Sequence, residues 1–482
     1  MSQNAIDAIF NPQSVAVVGA SNTPSGFGYW YMHAITSHDY KGNLYPINPK
    51  APEVMGIKAY PDLEQVPTSV DYVISLVGLN MVPDLLVKCA KKGVKVLHVM
   101  AGRGAETGRP EAKKLEEDVL AKAKETGVRM LGPNCLGTYC PKTGIAYHYD
   151  FPKEPGNVSV MMQSGGNSID TIHFLALRGI RLCKVASYGN AIDINQNDLL
   201  EYFGDDPDTQ IILCFIEGVK GDARKFFEIL RKVASKKPVV VLKGGRTTAG
   251  ARQTLTHTAS LAGSGKIFDV AVRQAGAIPV SNLDELVNQA VAFQLIPPIK
   301  GKRVGLGGGG GGKSVLTADE WEEQGFEVPP LPQEIRDYWK SKGSQLWDWI
   351  ANPVDRSTWM TGDPYNFPEQ VIEMSKHPVF DFIVGTVTED YPFEKEFFLE
   401  ALTSDVEGFI TIKKESNKPF LLIYSNRPIG IKQLEGWEDR RHAELKTKLV
   451  EAGIPFFASV PHAAKAVREM MNFYARKEQK AK

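Results

Sequence analysis

His257 is the residue whose type and setting most directly suggest chemistry. It lies in TLTHTASLAGSG (254–265), among small hydroxyl and glycine residues. Near neutral pH a substantial fraction of imidazole is unprotonated and nucleophilic, so a histidine can carry a phosphoryl group between two places. A lone histidine is more often a surface or hydrogen-bonded core residue, so such a role needs partners. The preceding GGRTTAGARQ (244–253) reads as a loop.

Glu217 and a glycine-rich segment supply such partners. Glu217 closes the apolar run IILCFIEG. A carboxylate bonded to one ring nitrogen fixes the tautomer of an imidazole and leaves the other nitrogen nucleophilic. QSGGNS opens a helical pattern, so the amides of Ser164, Gly165 and Gly166 suit a phosphoryl group. Because parallel strands bring such loops to one edge of a sheet, the sequence predicts a phosphohistidine site.

A second phosphate loop lies near the N-terminus, in VAVVGASNTPSGFG. This strand–loop–helix pattern gathers backbone amides at a positive helix end, although Gly19 is followed by Ala20 and Ser21 and not by the GxGxxG spacing. An NAD site would place an acidic residue after the second strand, whereas YPINPK ends in Lys50. A cation there fits the phosphorylated ribose of coenzyme A (CoA) or NADP. CoA is favoured because no hydride-transfer site follows; a tight turn without a ligand is the alternative.

The elements that must position these residues follow an α/β pattern. Short apolar runs alternate with helical stretches along the whole chain, which is typical of parallel sheets covered by helices. The runs predicted as strands are SVAVVGA, NLYPINP, VDYVISLVG, VKVLHVM, VRMLGPN, NVSVMMQSGG, LCKVASYGN, IILCFIEG, PVVVLKGG, KRVGL, FDFIVGTVTED, KPFLLIYSN and IPFFAS. We expect three α/β blocks, 1–152, 153–299 and 300–482. The Pro- and Trp-rich stretch at about 329–368 is poorly periodic, which is typical of an irregular inserted loop or of a surface for a partner.

Composition excludes several classes of protein. Lys+Arg and Asp+Glu both count 56 in 482 residues, so no global field favours nucleic acid or a membrane surface. The five cysteines show neither a CxxC pair nor zinc spacing, so we expect reduced thiols and no metal site. Neither a secretory leader nor a spanning apolar run is apparent, so the expected compartment is the cytoplasm.

The motifs also occur in a recognisable order. GAS, YPINPK, AYPDLEQVP, GPNCLG, QSGG, SYGN, DDPDTQIILCFIEG, KGGRTTAGA and THTASLAG together resemble the ADP-forming (NDP-forming) acyl-CoA synthetases, the family that includes the succinyl-CoA synthetase α subunit. The resemblance covers residues about 7–297. It implies a Rossmann-like CoA-binding domain followed by two flavodoxin-like domains. It also implies a ligase reaction in which a carboxylic acid, CoA and ATP give acyl-CoA, ADP and phosphate through acyl phosphate and a phosphohistidine.

The resemblance also assigns roles to residues. His257 would be phosphorylated, with Glu217 as its partner and Gly165 and Gly166 at the phosphate cradle. Asn134, in GPNCLG, would lie near the thioester. The residues that would contact CoA are Gly19, Ala20, Ser21, Asn48, Lys50, Ala101 and Gly102. Arg103, in AGRGAETG, replaces the aromatic residue usual in the family, which leaves the environment of the pantetheine and acyl group open.

The third block contains a glycine run that mimics a P-loop. GGGGGGKS (307–314) satisfies GxxxxGK[ST] between a predicted strand and a predicted helix. A P-loop also needs a hydrophobic strand that ends in Asp for magnesium, and TVTED with Asp390 is a poor substitute. The family has a Gly-rich turn here, followed by NPVD (352–355). Packing or a non-nucleotide phosphate is therefore favoured over a bound nucleotide.

The sequence lacks an ATP-grasp pattern, a domain that the family often places on a separate β subunit. The chain therefore reads as an α subunit of a hetero-oligomer, with ATP/ADP and Mg²⁺ bound by the partner. No cationic pair marks a dicarboxylate site, so acetate or another small monocarboxylic acid is expected. The alternatives are a non-catalytic CoA- or acyl-CoA-binding sensory or scaffold protein, which has no use for a nucleophilic imidazole, and an NADP-dependent oxidoreductase.

Overall fold

The strands of the structure contain the short apolar runs of the sequence. The computed structural model describes residues 2–258, 264–355, 367–387, 394–425 and 436–481, and at 2–4, 255–258 and 480–481 it describes the backbone without the side chains. Its strands are β1 (Ser14–Val18), β2 (Asn43–Ile47), β3 (Glu53–Val54), β4 (Ile57–Lys58), β5 (Tyr72–Ser75), β6 (Val96–Val99), β7 (Arg129–Leu131), β8 (Gly137–Tyr139), β9 (Val158–Met162), β10 (Leu182–Ser187), β11 (Ile211–Ile216), β12 (Val239–Lys243), β13 (Ile278–Val280), β14 (Val304–Gly308), β15 (Phe382–Thr386), β16 (Phe420–Ile423) and β17 (Phe456–Phe457).

Helices alternate with these strands. They are α1 (Ser2–Phe10), α2 (Phe27–Ser37), α3 (Val82–Lys91), α4 (Pro110–Thr126), α5 (Gly165–Ala176), α6 (Gln196–Asp205), α7 (Ala223–Ala234), α8 (Thr248–Thr258), α9 (Gly265–Gln274), α10 (Leu283–Leu295), α11 (Gly311–Glu323), α12 (Gln333–Ser341), α13 (Phe367–Lys376), α14 (Lys395–Glu415), α15 (Trp437–Glu451) and α16 (Val460–Ala481). Local sequence fixes several ends: α4 begins at a proline and stops at Gly127, whose φ of +72° is left-handed. No described helix is both long enough and apolar enough to cross a membrane.

The chain forms two compact units. The first comprises Met1–Ala176 and Ile180–Leu286, and the second comprises Leu177–Gly179 and Val287–Lys482. The first unit holds a parallel sheet in the order β2-β1-β5-β6-β7 and a second sheet in the order β13-β12-β11-β9-β10-β8. The second unit holds the parallel sheet β14-β15-β16-β17. The predicted α/β class with parallel sheets is confirmed.

The second sheet has one antiparallel strand, β8, which pairs with β10. The other strands of this sheet run parallel, and β9, β10, β11 and β12 are buried along their whole length. Strands buried on both faces explain the continuous Val- and Ile-rich runs of the sequence. Because β8 precedes residue 152, the chain enters this sheet inside the predicted first block. The boundaries at 152 and 299 stay predictions.

Two predictions of irregular structure were wrong. The segment 244–253 was predicted as a loop, but helix α8 begins at Thr248. The Thr247 hydroxyl accepts the Gly250 amide (3.1 Å), and the Thr254 hydroxyl donates to the Gly250 carbonyl oxygen (3.0 Å). Threonine residues that favoured a loop in the sequence thus cap the helix at Thr247 and form a hydrogen bond within it at Thr254.

The stretch 329–368 was also predicted to be irregular, but it contains helix α12. Ile335 and Trp339, four residues apart, are both buried in the core of the second unit. Residues at this spacing share one face of a helix, so tertiary burial stabilises a segment whose overall periodicity is weak.

Candidate functional site

The predicted phosphate loop near the N-terminus follows β1 at the carboxyl edge of the first sheet. Gly19 has a φ of +94°, and its amide donates to the Ile47 carbonyl oxygen (3.1 Å). A Cβ at Gly28 would lie 2.2 Å from the Gly19 carbonyl oxygen and 2.8 Å from the Ser21 amide nitrogen. Glycine at position 28 therefore lets the first turn of α2 approach the loop, beneath which Ala20 is buried. The result is a turn at a helix N-terminus, the usual place for a pyrophosphate.

Asn48 fastens the end of β2 to this loop. Its side-chain amide donates to the Ala20 carbonyl oxygen (2.8 Å), while Oδ1 accepts the amides of Lys50 (2.8 Å) and Ala51 (2.9 Å). Most of the hydrogen-bonding capacity of Asn48 is thus used within the protein, so this residue positions the two loops. Lys50 lies next to it with an exposed side chain, which places an ammonium group at the same sheet edge.

Ala101, Gly102 and Asn134 meet beyond the ends of β6 and β7. The Asn134 amide donates to the Ala101 carbonyl oxygen (3.1 Å), and Asn134 has a left-handed φ of +59°. A Cβ on Gly102 would lie 2.9 Å from Oδ1 of Asn134 and 3.1 Å from Oε1 of Glu106. The structure therefore brings together three residues predicted to face CoA. Arg103, the departure from the family pattern, follows with an exposed side chain and a φ of +71°.

Two glutamates that the sequence did not reveal hold this loop. Oε1 of Glu106 accepts the amides of Arg103 (2.5 Å) and Gly104 (3.0 Å). The side-chain amide of Asn190 donates to Oε2 of Glu106 (2.9 Å) and to Oε2 of Glu116 (3.0 Å). Asn190 is 1% exposed and belongs to the SYGN motif, which the sequence predicts at the end of a strand. Its amide ties the loop of the first sheet to the second sheet.

The predicted phosphate cradle is the turn from β9 into α5. Helix α5 begins within the glycine pair, at Gly165, so amides of the turn lie at a helix N-terminus. A Cβ on Gly165 would lie 2.7 Å from Cγ of Leu136, whereas one on Gly166 would meet nothing within 4 Å. Ser164 Oγ accepts the Asn167 amide (3.4 Å). Gly165 is therefore fixed by packing, and Gly166 faces open space.

Gln163 connects this cradle to Glu217. Its Oε1 accepts the amides of Glu217 (2.5 Å) and Gly218 (3.0 Å), and its buried Nε2 has no hydrogen-bond partner among the described residues. Glu217 is 6% exposed, and Nζ of Lys243 donates to its carbonyl oxygen (2.6 Å). Burial lowers the pKa of Lys243, although attraction to Glu217 opposes this effect. The backbone of Glu217 is thus held firmly beside the cradle.

His257 lies in the last turn of α8. Its side chain, and residues 259–263, lie outside the described residues, so the predicted contact between the His257 ring and Glu217 stays a prediction. Cα atoms of α8 approach those of the 3-10 turn Ala105–Thr107 to within 8 Å. The helix that bears His257 therefore passes directly beside the loop that contains Ala101 and Gly102.

Lys220 lies between the two predicted sites and was also missed from the sequence. Burial lowers the pKa of Lys220, whereas the charges of Glu116 and Glu217 oppose this effect. Its backbone is fixed by Gln196, whose Oε1 accepts the Lys220 amide (3.1 Å) and whose Nε2 donates to the Lys220 carbonyl oxygen (2.7 Å). The half-buried ammonium group of Lys220 thus interacts with Glu116, which accepts a hydrogen bond from Asn190, and with Glu217, the predicted partner of His257.

The glycine run of the third block lies between β14 and α11. A Cβ on Gly308 would lie 2.2 Å from the Thr386 carbonyl oxygen, so packing requires glycine there. A Cβ on Gly311 would lie 3.5 Å from Oδ2 of Asp355, so a carboxylate already lies near the N-terminus of α11. This charge disfavours a nucleotide phosphate at the same helix end. Asp390 lies outside the described residues.

Comparisons with known proteins agree with this arrangement. A family model described as a CoA binding domain matches residues 13–141, and one described as a succinyl-CoA ligase like flavodoxin domain matches residues 155–293. The α subunit of acetate–CoA ligase [ADP-forming] II from Pyrococcus furiosus is 33% identical over 425 residues, which cover 87% of this chain and 90% of that protein. Acetate–CoA ligase [ADP-forming] from Methanocaldococcus jannaschii is 36% identical over 347 residues, which cover 71% of this chain and 48% of that protein.

A solved structure is similar over nearly the whole chain. Dinucleotide forming acetyl-coenzyme A synthetase 1 from Ca. Korarchaeum cryptofilum, in complex with phosphate and ADP, matches with a TM-score of 0.79 and 27% identity. The match covers 98% of both chains. The resemblance noted in residues about 7–297 therefore extends into the third block.

Proposed function

Because this chain belongs to the family of ADP-forming acyl-CoA synthetase α subunits, we propose that it interconverts a carboxylic acid, CoA and ATP with acyl-CoA, ADP and phosphate through a phosphohistidine at His257. The observation that carries this proposal is the passage of α8 beside Ala105–Thr107. The helix of the proposed phosphoryl carrier and the loop expected to hold CoA thus lie next to each other in one unit.

His257 would take the phosphoryl group of ATP, with release of ADP, and pass it to the carboxylate to give an acyl phosphate. The CoA thiol would then attack the acyl carbon, the bond from that carbon to the phosphate oxygen would break, and inorganic phosphate would leave. Glu217 would accept a hydrogen bond from the protonated ring nitrogen of His257. The amides of Gly165 and Gly166 would hold the phosphoryl oxygens. The buried Nε2 of Gln163 is a further candidate donor.

CoA would bind along the edge of the first sheet. The loop of Gly19, Ala20 and Ser21 would hold phosphate groups, and Lys50 would pair with a phosphate of the nucleotide half. Asn48 keeps these two loops together through its three hydrogen bonds. On the other side of the edge, Ala101, Gly102 and Asn134 would surround the thiol end and the thioester.

A partner subunit would supply the nucleotide site. We propose an ATP-grasp β subunit that binds ATP/ADP and Mg²⁺, in a cytoplasmic hetero-oligomer. Support comes from the relative in Methanocaldococcus jannaschii, because the match covers 48% of that protein and leaves another half for further domains. The acid would be acetate or another small monocarboxylate, and the exposed Arg103 marks the place where the acyl environment departs from the family pattern.

Labelled ATP tests this function. With a candidate β subunit, the wild-type chain should form an acid-labile, base-stable phosphoryl adduct and acyl-CoA. His257→Ala should abolish both while CoA affinity, measured by calorimetry, stays unchanged. Glu217→Gln should slow adduct formation by about 10²–10⁴-fold, as expected for loss of an orienting acid–base group. His33→Ala is the matched histidine control.

The outcomes separate this proposal from a CoA-binding scaffold. Such a protein would bind CoA, form no adduct and show no acid-dependent release of ADP with any β subunit. Acyl-CoA production by His257→Ala at a near wild-type rate would contradict the phosphohistidine mechanism and leave the ligase activity itself standing.

A further inference from the structure

We propose that His148, Asp150 and His173 form a binding site for a divalent transition-metal ion, with Zn²⁺ as the probe. One ligand atom from each side chain lies within 4.8 Å of the other two. All three residues belong to the first unit, and none is assigned to CoA or phosphoryl transfer. No spacing in the sequence indicates such a site, because His148 and Asp150 lie in one turn and His173 lies in α5.

The ligand atoms converge on one carboxylate oxygen. Oδ1 of Asp150 lies in close contact with Nδ1 of His148 and 3.1 Å from Nε2 of His173. Two imidazole nitrogens and one carboxylate oxygen are a common donor set for zinc and other first-row metals, with solvent in the remaining position. The Asp150 side chain is 47% exposed, so this set has access to solvent and to a metal ion.

Aromatic packing holds both imidazoles in place. The His148 ring stacks between Tyr149 and Phe151, with centroid distances of 5.0 and 5.2 Å, and Trp30 meets it edge-on at 5.5 Å. The Phe151 ring also meets His173 edge-on, at 5.6 Å. Ligands whose rotamers are fixed by neighbours bind a metal with less ordering cost than mobile surface side chains.

His148 and Asp150 place their ligand atoms side by side. Nδ1 of His148 is closed off from solvent and lies in close contact with Oδ1 of Asp150. A neutral imidazole offers the lone pair of such a nitrogen and a carboxylate offers those of its oxygen, so one cation can accept both.

A bound ion would join the turn 148–150 to helix α5, which begins at the predicted phosphate cradle. The two segments already meet where the hydroxyls of Tyr147 and Ser168 lie 2.8 Å apart. Because an ion that binds the folded chain stabilises it by mass action, zinc should raise the melting temperature of the first unit.

Zinc binding to the full chain, with any affinity tag removed, tests the site. Competition with a chromophoric chelator should give one Zn²⁺ per chain for the wild type. His148→Ala and His173→Ala should each weaken binding at least tenfold. His33→Ala is the matched control, because this ring stacks on Tyr149 at 5.4 Å in the same patch without being a ligand. Equal binding by all four proteins, or no zinc bound by the wild type, would overturn the proposal.

Two further measurements guard against misfolded variants. Asp150→Asn keeps the side-chain shape, so zinc should raise the melting temperature of the wild type and of His33→Ala but not of Asp150→Asn. Bound Co²⁺ should show visible d–d absorption without a thiolate charge-transfer band, since all five cysteines are buried. A zinc-independent melting temperature in the wild type, or a thiolate band, would contradict the assignment.

Discussion

His98 is expected to make the first unit lose stability as the pH falls from 6.5 towards 4. Its ring is fully buried and stacks on Tyr72. Nε2 lies 3.1 Å from the Cys135 carbonyl oxygen and donates to it, while Nδ1 is buried and has no partner among the described residues. Burial lowers the pKa of His98 from its ordinary 6.5 to about 4, because an added proton on Nδ1 would be a charge without solvent or partner.

The sign and size of the effect follow from linkage. Between the two pKa values the unfolded chain binds a proton at His98 and the folded chain does not, so unfolding is favoured as the pH falls. The gap of about 2.5 pH units, at about 1.36 kcal/mol per unit, corresponds to a loss of about 3.4 kcal/mol. This contribution is fully present above pH 6.5 and is lost by about pH 4.

Denaturant titrations between pH 7 and pH 4 measure this loss. In His98→Gln the side-chain amide can still donate to the Cys135 carbonyl oxygen, but the titrating group is absent. The free energy of unfolding of the variant should therefore fall less over this range, by up to about 3 kcal/mol, whatever its stability at pH 7. His33→Gln, which removes a partly exposed imidazole, is the control. If wild type and His98→Gln show parallel pH profiles, the buried ring is not the source of acid sensitivity.

Three other predictions follow from named contacts. Lys50→Glu should weaken CoA binding by roughly 10–150-fold, since a charge-assisted contact contributes about 1.5–3 kcal/mol; unchanged affinity in low-salt calorimetry would remove Lys50 from the site. Gly165→Ala should lower both the melting temperature and adduct formation, because its Cβ would lie 2.7 Å from Leu136, whereas Gly166→Ala should keep the melting temperature; equal effects on melting would refute the packing difference. Lys184→Met should destabilise the first unit by about 3–5 kcal/mol, because the carboxylate of Asp206, its ion-pair partner, stays buried without a countercharge. Lys142→Met removes an exposed ion pair with Asp208 and should cost at most about 1 kcal/mol. Denaturant titration of both lysine variants checks the contrast, and similar losses would contradict it.

Much of the fold was predictable because buried parallel strands leave continuous apolar runs. A short strand has no such apolar run and could not be predicted. Strand β8 is the tripeptide Gly137–Tyr139, and its place beside β10 depends on tertiary pairing. The wrong loop prediction at α8 arose because threonine and glycine favour caps and turns, while here Thr247 caps a helix. The helix at Gln333–Ser341 was missed because the burial of Ile335 and Trp339 stabilises it. That burial depends on contacts with distant parts of the chain, which the local sequence does not show.

The candidate site, like the fold, was predictable only in part from the sequence. Motifs identified the loops, and the structure brings Ala101, Gly102 and Asn134 together. The side-chain role of His257 and its contact with Glu217 stay predictions. The roles of Glu106 and Glu116 were not predicted because glutamates in a charged loop and on a helix surface are usually solvated. The local sequence does not show that both carboxylates accept hydrogen bonds from the buried side-chain amide of Asn190.

The backbone on either side of the Asn190 side chain also joins the two loops proposed for the thioester and for phosphoryl transfer. The Asn190 backbone amide donates to the Pro133 carbonyl oxygen (3.0 Å), and a Cβ on Gly189 would lie 2.3 Å from the Asn134 carbonyl oxygen. The loop proposed to face the thioester and the loop after β10 therefore interlock without room for a side chain between them. Since packed loops of this kind do not slide past each other, the distance from Asn134 to the predicted cradle at Gly165 is set by the fold. If His257 carries a phosphoryl group as proposed, its movement between chemical steps must come from the helix that bears it and not from these two loops.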